Sequence, residues 1–194
     1  LLEFKNNINL NKFKNIKYFN KAVSHVDNAI VELKESEKDW ESSIIYSDYK
    51  VKNSTKIDTI TLDTILRDEL MNDEILIIKI DVEGHEINAL KGAHEIIIKN
   101  KPIIIFEQHA SEIYDGTSEV ISYLESLGYD FFEIKKRFDF GEGFLNRFAR
   151  LLLTKIFGSR LSLVQADKFK EKYYDMIVAL SLIHISEPTR HNAI

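Results

Sequence analysis

The 194-residue chain has no cysteine, which excludes disulfide bonds and thiolate metal sites and fits a reducing cytoplasm. It has no apolar run long enough to cross a lipid bilayer, so the sequence predicts no membrane span. Its net charge of −5 gives no global positive field that would attract nucleic acid or an anionic membrane. These absences predict a cytoplasmic protein that binds no nucleic acid.

Glycine is also scarce, since the chain has seven and the first is Gly84. Glycine-rich loops bring the backbone close to a ligand because glycine has no Cβ, and the chain before Gly84 contains no such loop. The residues that are abundant make the chain 44% hydrophobic and 29% charged, which is ordinary for one globular domain. The sequence has no internal repeat, no low-complexity linker and no sign of a second domain.

The two ends of the chain differ from the rest. The sequence begins at Leu1 in what reads as the middle of a helix, which predicts that the natural N-terminus is missing. Residues 180–190 read LSLIHISEPTR and resemble the translation of a transposase adapter used in short-read DNA sequencing. We therefore expect residues 1–179 to form a partial domain and residues 180–194 to be a non-native tail.

Hydrophobic periodicity in the N-terminal part predicts a helix, several strands and a second helix. The segment IDTITL alternates with a period of two, and Asp63 follows it as a candidate N-cap of the next helix. The predicted elements are a helix at 1–13, a strand at 15–24, hairpin arms at 29–33 and 43–46, a strand at 57–62 and a helix at 63–70.

From residue 75 onward, wholly apolar strands alternate with helices, which is typical of βαβ units in a sheet that helices cover on both faces. His94 shares the apolar stripe of one helix, which predicts that it is packed rather than catalytic. Gly128 fits the C′ position that ends another helix. The predicted elements are strands at 75–80, 102–106, 129–134 and 174–179, and helices at 86–99 and 118–127.

Two of the apolar strands end in acidic residues. The chain reads LIIKIDVEGHE from Leu76 and IIIFEQH from Ile103, so an acid follows the last apolar residue of each strand. Ligands bind at the carboxyl ends of the strands in open α/β sheets, where charge can meet solvent. If the two strands are parallel neighbours, five side chains converge on one edge: Asp81, Glu83, His85, Glu107 and His109.

Several of these residues also have a structural interpretation. Asp81 could cap the following helix, and Glu83 and Glu86 could favour the positive end of its dipole as exposed acids. Lys79 lies inside an apolar strand, so we predict that its amine either pairs with a nearby acid or extends to the rim of the sheet. His85, beside two acids in a predicted cleft, is a candidate proton acceptor.

Three sequence blocks carry a family resemblance: TITLDTIL at 59–66, IIKIDVEGHEINALKGA at 77–93 and KPIIIFEQH at 101–109. In this order and at this spacing they resemble FkbM-type methyltransferases, and the likeness spans roughly residues 1–179. The resemblance implies a Rossmann-like fold, S-adenosylmethionine as the cofactor and methyl transfer to a hydroxyl oxygen. The expected fold class is therefore α/β, with an incomplete Rossmann-like methyltransferase sheet that lacks the first two strands.

The resemblance also implies cofactor contacts. It places Ala22, Val23 and Ser24 near the adenine, and Asp81 beside the methionine portion and the acceptor. The glycine-rich cofactor loop and the ribose-binding acid of such enzymes are absent, so we expect the fragment itself to be inactive. The missing strands would leave strand 75–80 with an unpaired edge and residues 1–60 loosely placed or wrongly paired.

In such a methyl transfer the protein aligns donor and acceptor and takes a proton from the acceptor hydroxyl. We predict Asp81 or His85 as the proton acceptor, with Glu83 in the same catalytic group. Glu107 and His109 are predicted to bind the acceptor, and a carboxylate suits this because it accepts several hydroxyl hydrogen bonds. The acceptor is expected to be a small molecule or a glycan, and no metal site is predicted.

Two other functions stay open. Asp81 and Glu83 could bind a divalent metal in a glycosyltransferase that uses a nucleotide sugar, or the chain could be a degenerate binding module without a cofactor. Residues 144–157 are apolar over a wide arc and carry cations, so they could contact a membrane surface or form a packing helix. Wide apolar arcs usually mean burial, which favours the packing helix.

Overall fold

The computed structural model describes residues 2–36, 42–43, 51–70, 73–136 and 161–186. The strands in these ranges form one sheet of four strands and one of five, and helices accompany both in a mixed α/β architecture. Residues 144–157, with their two candidate roles, lie outside the described ranges. Among the described residues, no helix is both long enough and apolar enough to span a bilayer.

The smaller sheet consists of β1 (Ala22–Val23), β2 (Ile30–Ser36), β3 (Ser42–Ser43) and β4 (Val51–Ile60). The strand order is β1-β4-β2-β3, with β1 parallel to β4 and the other pairs antiparallel. The predicted hairpin arm at 29–33 pairs with β4 instead, while β3 pairs with Lys34 and Glu35 just beyond it, and residues 44–46 of the predicted second arm lie outside the described ranges. Four strands of residues 1–60, the part expected to be loosely placed or wrongly paired, therefore form a sheet among the described residues.

The strand predicted at 15–24 is wrong over most of its length. Only Ala22 and Val23 pair, with Thr59 and Ile60 of β4, and residues 11–21 are irregular. Tyr18 in this segment is 44% exposed, so its aromatic ring gains little burial that would favour a longer strand. The helix predicted before this segment is confirmed as α1 (Leu2–Leu10).

The larger sheet consists of β5 (Ile77–Ile80), β6 (Ile103–Gln108), β7 (Tyr129–Lys136), β8 (Leu161–Gln165) and β9 (Tyr174–Ser181). Its order is β5-β6-β9-β7-β8. β5 and β6 are parallel, whereas β9 is antiparallel to both β6 and β7. The strands β5, β6 and β7 therefore share one direction, and β9 opposes them from the middle of the sheet. β5 lies at the edge of the described sheet, as the sequence predicted.

The helices described after α1 are α2 (Leu62–Glu69), α3 (Glu86–Lys91), α4 (His94–Asn100), α5 (Glu119–Ser126) and α6 (Leu182–Ser186), with a 3-10 turn at Ala110–Glu112. α5 begins after Ser118, whose hydroxyl accepts the N–H of Ile121. Gly128 follows this helix with a φ of 82°, which confirms its predicted C′ role.

The single helix predicted at 86–99 is two helices in the structure, because the helix is interrupted at Gly92 between α3 and α4. Gly92 lies against the backbone of the smaller sheet, where an added Cβ would be 2.0 Å from the Ser24 carbonyl oxygen. Beyond the break, the carboxylate of Asp63 accepts the N–H groups of Glu95 and Ile96 at 3.0 Å. Contacts from outside the helix therefore fix the position of the break.

Two residue assignments in this region are corrected by the structure. Asp63 is not the N-cap of α2, because Thr61 occupies that position and its hydroxyl accepts the N–H of Thr64. Asp63, which lies in α2, instead caps α4, because its carboxylate accepts two backbone N–H groups from the first turn of that helix. His94 is exposed rather than packed, and its Nδ1 lies 2.8 Å from the hydroxyl of Tyr123.

The hydrophobic core lies between the larger sheet and helices α3, α4 and α5. On β5, Ile78 and Ile80 point into this core, whereas Ile77 and Lys79 on the opposite face are exposed. The expectation that helices cover both faces is therefore wrong for β5 within the described residues. Fully buried core side chains come from α3, α4, α5, β6 and β9: Leu90, Ile97, Leu124, Ile104, Phe106 and Ile177.

The C-terminal strand extends past the expected domain boundary at residue 179. In β9, Leu180 pairs with Asp130 and Ser181 pairs with Tyr129, and Ser181 is 2% exposed. Two residues of the proposed tail thus complete a strand of the sheet. The non-native origin of the tail stays a prediction.

Candidate active site

The ends of β5 and β6 form the rim at which the predicted residues meet. The two strands pair in parallel with Ile80 opposite Phe106, so Asp81 and Glu107 follow at neighbouring positions. The carboxyl groups of Asp81 and Glu107 are within hydrogen-bonding reach of each other. The sequence-based expectation that these two acids share one rim is confirmed.

Asp81 lies at the exposed side of this rim. The amine of Lys79 donates to its Oδ2 at 2.6 Å, which confirms that Lys79 pairs with a nearby acid. This hydrogen bond is the largest cause that lowers the pKa of Asp81, and burial opposes it. Asp81 is therefore a carboxylate at neutral pH, and its side chain stays about half exposed to solvent.

Glu86 shapes the loop that follows β5. It is 2% exposed, and its Oε1 accepts the N–H of Val82 at 3.2 Å and of Gly84 at 3.3 Å. In this loop Glu83 has a φ of 51° and Gly84 has a φ of 90°, and both values lie in the left-handed region that favours glycine. The expectation of an exposed acid at a helix start is wrong for Glu86, because the tight loop turns its carboxyl inward. Burial raises the pKa of Glu86.

Glu83, Glu107 and His109 form a second contact group at the rim. The Nε2 of His109 lies 3.6 Å from Oε2 of Glu83 and 3.6 Å from Oε1 of Glu107. The carboxyl of Glu107 is mostly covered, with 12% of its side chain exposed, whereas Glu83 and His109 are more open. The structure thus brings together three of the predicted residues, and Asp81 contacts them through Glu107.

Tyr173 belongs to this group although the sequence did not single it out. Its hydroxyl donates to Oε1 of Glu107 at 2.5 Å, and its ring centroid lies 5.4 Å from that of His109. The hydrogen bond to Glu107 is the main cause that raises the pKa of Tyr173. Tyr173 comes immediately before the last apolar strand. Its place in the site could have been predicted only if this strand were known to run antiparallel beside β6.

His85 lies apart from the rim group, which corrects the expectation that it converges with Glu107 and His109. It is 8% exposed, with Nε2 3.2 Å from the hydroxyl of Ser24 and Nδ1 3.2 Å from the amide nitrogen of Asn88. Both ring nitrogens are therefore engaged inside the protein. Burial, followed by the charge of His25, lowers the pKa of His85, so its ring is neutral at neutral pH.

The residues predicted to contact the cofactor adenine lie on β1 and just after it. Ala22 and Val23 are half-buried, whereas Ser24 is 3% exposed. The N–H of Ser24 donates to the Ile60 carbonyl, and its hydroxyl contacts His85. Ser24 thus connects the smaller sheet to the loop after β5.

A family model described as the Methyltransferase FkbM domain matches residues 4–131, which is more than half of the chain. The chain belongs to the FkbM methyltransferase family. Neither the curated proteins nor the solved structures gave a significant match to the chain. The matched residues of the FkbM domain include every residue predicted for the site, whereas Tyr173 lies beyond them. Membership supports a methyltransferase at the level of the family.

Proposed function

We propose that this chain is the acceptor-binding part of a methyltransferase that uses S-adenosylmethionine and methylates a hydroxyl of a glycan or a secondary metabolite. The observation that carries the proposal is the meeting of Asp81 with Glu107 at the carboxyl ends of two parallel strands, in a member of the FkbM family. The shared direction of β5, β6 and β7, with β9 reversed among them, supports an incomplete Rossmann-like sheet.

Asp81 is the group that we assign as the proton acceptor. Its carboxylate is ionised and reaches solvent at the rim, so a bound hydroxyl could hydrogen-bond to it directly. His85 is a weaker choice, because both of its ring nitrogens have protein partners and its side chain is buried. We therefore propose that His85 orients the loop after β5 and does not touch the acceptor.

Glu83, Glu107 and His109 are the groups that we assign to the acceptor. Carboxylate oxygens accept hydrogen bonds from neighbouring hydroxyls of a sugar or a polyol, and the partly exposed edge of His109 adds a nitrogen that can donate or accept. The ring of Tyr173, which is 50% exposed beside His109, offers an apolar surface for the acceptor. This combination suits a hydroxylated molecule better than an anionic one.

The residues of this chain fit part of a site for S-adenosylmethionine. Asp81 is open to solvent, and Ala22 and Val23 are half-buried, whereas the hydroxyl of Ser24 is engaged by His85. When bound, S-adenosylmethionine would supply the electrophilic methyl group. Because no glycine precedes Gly84, we propose that this chain alone binds the cofactor weakly and is inactive.

Calorimetric titration of the 194-residue chain with S-adenosylmethionine tests the last point, and micromolar binding would overturn it. The assignment of Asp81 is tested in an active member of the FkbM family by replacing the matching aspartate with asparagine. Turnover should fall by about 10²- to 10⁴-fold, as expected for loss of a proton acceptor. Replacing the residue that matches Glu125, which is exposed on α5, is the control and should leave turnover unchanged. Near-normal turnover in the asparagine variant would contradict the assignment.

A further inference from the structure

We propose that Glu83, Glu107 and His109 bind a divalent transition-metal ion, Zn²⁺ or Mn²⁺, at the rim of the larger sheet. The sequence predicted no metal there, and the glycosyltransferase alternative assigned a metal to a different pair, Asp81 and Glu83. One ligand atom from each of the three residues lies within 4.8 Å of the other two. The three residues come from the loop after β5, the end of β6 and the position just beyond it.

The distances within this group fit ligands around an ion. The Nε2 of His109 is 3.6 Å from a carboxylate oxygen of Glu83 and of Glu107, which is too long for a strong hydrogen bond. Ligands bound at about 2.1 Å in a tetrahedral arrangement lie about 3.4 Å apart. The two distances from His109 approach this spacing, and the ligand atoms of Glu83 and Glu107 lie within 4.8 Å of each other, so we propose that side-chain movement brings all three onto one ion.

The donor set determines the class of ion. Two carboxylate oxygens and one imidazole nitrogen suit Zn²⁺, Mn²⁺ and related ions, whereas Mg²⁺ prefers oxygen ligands and retains its water. The partial exposure of Glu83 and His109 leaves room for further ligands from solvent. If the proposed function holds, hydroxyl groups of the acceptor would occupy those positions.

Neighbouring groups hold the ligands in place, as is usual around metal sites. The hydroxyl of Tyr173 donates to the same oxygen of Glu107 that faces His109. The backbone N–H of His109 donates to Oε2 of Glu112 at 3.1 Å, and the amide of Gln108 donates to the same carboxylate oxygen. These contacts fix the ends of β6 and of the following turn before any ion binds.

The electrostatic field at the rim favours a cation. The group itself carries two carboxylates, those of Glu83 and Glu107. A third carboxylate, that of Asp81, follows β5 at the position next to Glu107. A divalent ion would neutralise part of this charge.

The test is calorimetric titration of the chelator-treated 194-residue chain with ZnCl₂ and, separately, with MnCl₂. We expect one ion per chain with micromolar or tighter affinity, and weaker binding of MgCl₂. Glu107→Gln and His109→Ala should each weaken binding at least tenfold. Glu125→Gln on α5 and His94→Ala on α4 are matched controls that should bind as tightly as the parent chain.

Two further measurements make each outcome decisive. The double variant His184→Ala, His191→Ala should retain the site, because those histidines belong to the C-terminal end of the chain. In a nuclear magnetic resonance spectrum, Mn²⁺ should broaden the His109 ring signals at substoichiometric amounts and leave those of His94 sharp. Absence of binding at millimolar metal, or equal binding by Glu107→Gln, His109→Ala and the parent, would overturn the proposal. Because the probe is the metal alone, failure here leaves the methyl-transfer proposal to its own test.

Discussion

The carboxyl groups of Asp81 and Glu107 lie within hydrogen-bonding reach of each other, one at the end of each of two paired parallel strands. Acids placed so closely repel when both are ionised, unless a cation compensates. Lys79 supplies that cation at 2.6 Å from Asp81. The arrangement keeps Asp81 charged beside a second carboxyl group.

Lys79→Met should raise the pKa of Asp81 towards its ordinary value, because the hydrogen bond from Lys79 is the largest cause of its lowering. The shift is measured by titrating the carboxyl carbon of Asp81 by nuclear magnetic resonance. Unfolding free energy should change little, since both side chains are about half exposed and such pairs contribute about 0–1 kcal/mol. Lys91→Met, which removes the partner of Glu119, is the control. An unchanged pKa of Asp81 in Lys79→Met would contradict this reading of the pair.

Glu86→Ala should destabilise the protein by about 1–3 kcal/mol, because the N–H groups of Val82 and Gly84 would lose their buried acceptor. Glu86→Gln keeps an acceptor oxygen and removes the buried charge. Since burial raises the pKa of Glu86, the parent loses stability as pH rises from the unfolded value of about 4.3 through the folded one. The free energy of unfolding of Glu86→Gln, relative to that of the parent, should therefore increase as pH rises. Urea unfolding at several pH values measures it, and a difference that shrinks as pH rises would contradict the prediction.

The meeting of Asp81 and Glu107 could be predicted from the sequence, because it needs only two apolar strands that pair in parallel and the residue that follows each. Other features depend on contacts across long stretches of chain. A helix is interrupted at Gly92, where this residue meets Ser24, and Tyr173 donates a hydrogen bond to Glu107, which lies 66 residues earlier in the sequence. Local periodicity contains no information on either partner.

The inward turn of Glu86 was missed for a related reason. Acids at helix starts are usually exposed, and only the positive φ values at Glu83 and Gly84 direct this one into the protein. The short strand at Ala22–Val23 similarly depends on pairing with Thr59 and Ile60 of β4, which are distant in the sequence. Element types were therefore more predictable than their lengths or their buried polar contacts.

Gly92→Ala should destabilise the protein by about 1–3 kcal/mol or more, because its Cβ would meet the Ser24 carbonyl oxygen at 2.0 Å and backbone must move. Gly128→Ala is the matched comparison, since nothing lies within 4 Å of its Cβ but its φ is 82°. The cost at Gly128 is conformational strain of about 1 kcal/mol. Urea unfolding should rank Gly92→Ala as the more damaging variant, and the reverse order would refute the close contact between Gly92 and the backbone of Ser24.

Replacing His85 should change how stability depends on pH. Burial lowers the pKa of His85 in the folded protein below the unfolded value of about 6.5. As pH falls through 6.5, the unfolded chain takes up a proton that the folded protein refuses, so the free energy of unfolding falls until the lower folded pKa is passed. His85→Gln retains hydrogen-bonding capacity towards Ser24 and Asn88 and cannot titrate. Its loss of stability between pH 7 and pH 5 should therefore be smaller than that of the parent.

Urea unfolding of parent and variant across this pH range gives the comparison. Because Glu86 contributes the opposite pH dependence to both proteins, only the difference between them reports on His85. The slope of the parent between pH 7 and pH 5 is the reference for the variant. If His85→Gln had the same slope of stability against pH as the parent, His85 would have to take up its proton inside the folded protein. A neutral ring between Ser24 and Asn88 would then be the wrong description of the contact between the smaller sheet and the loop after β5.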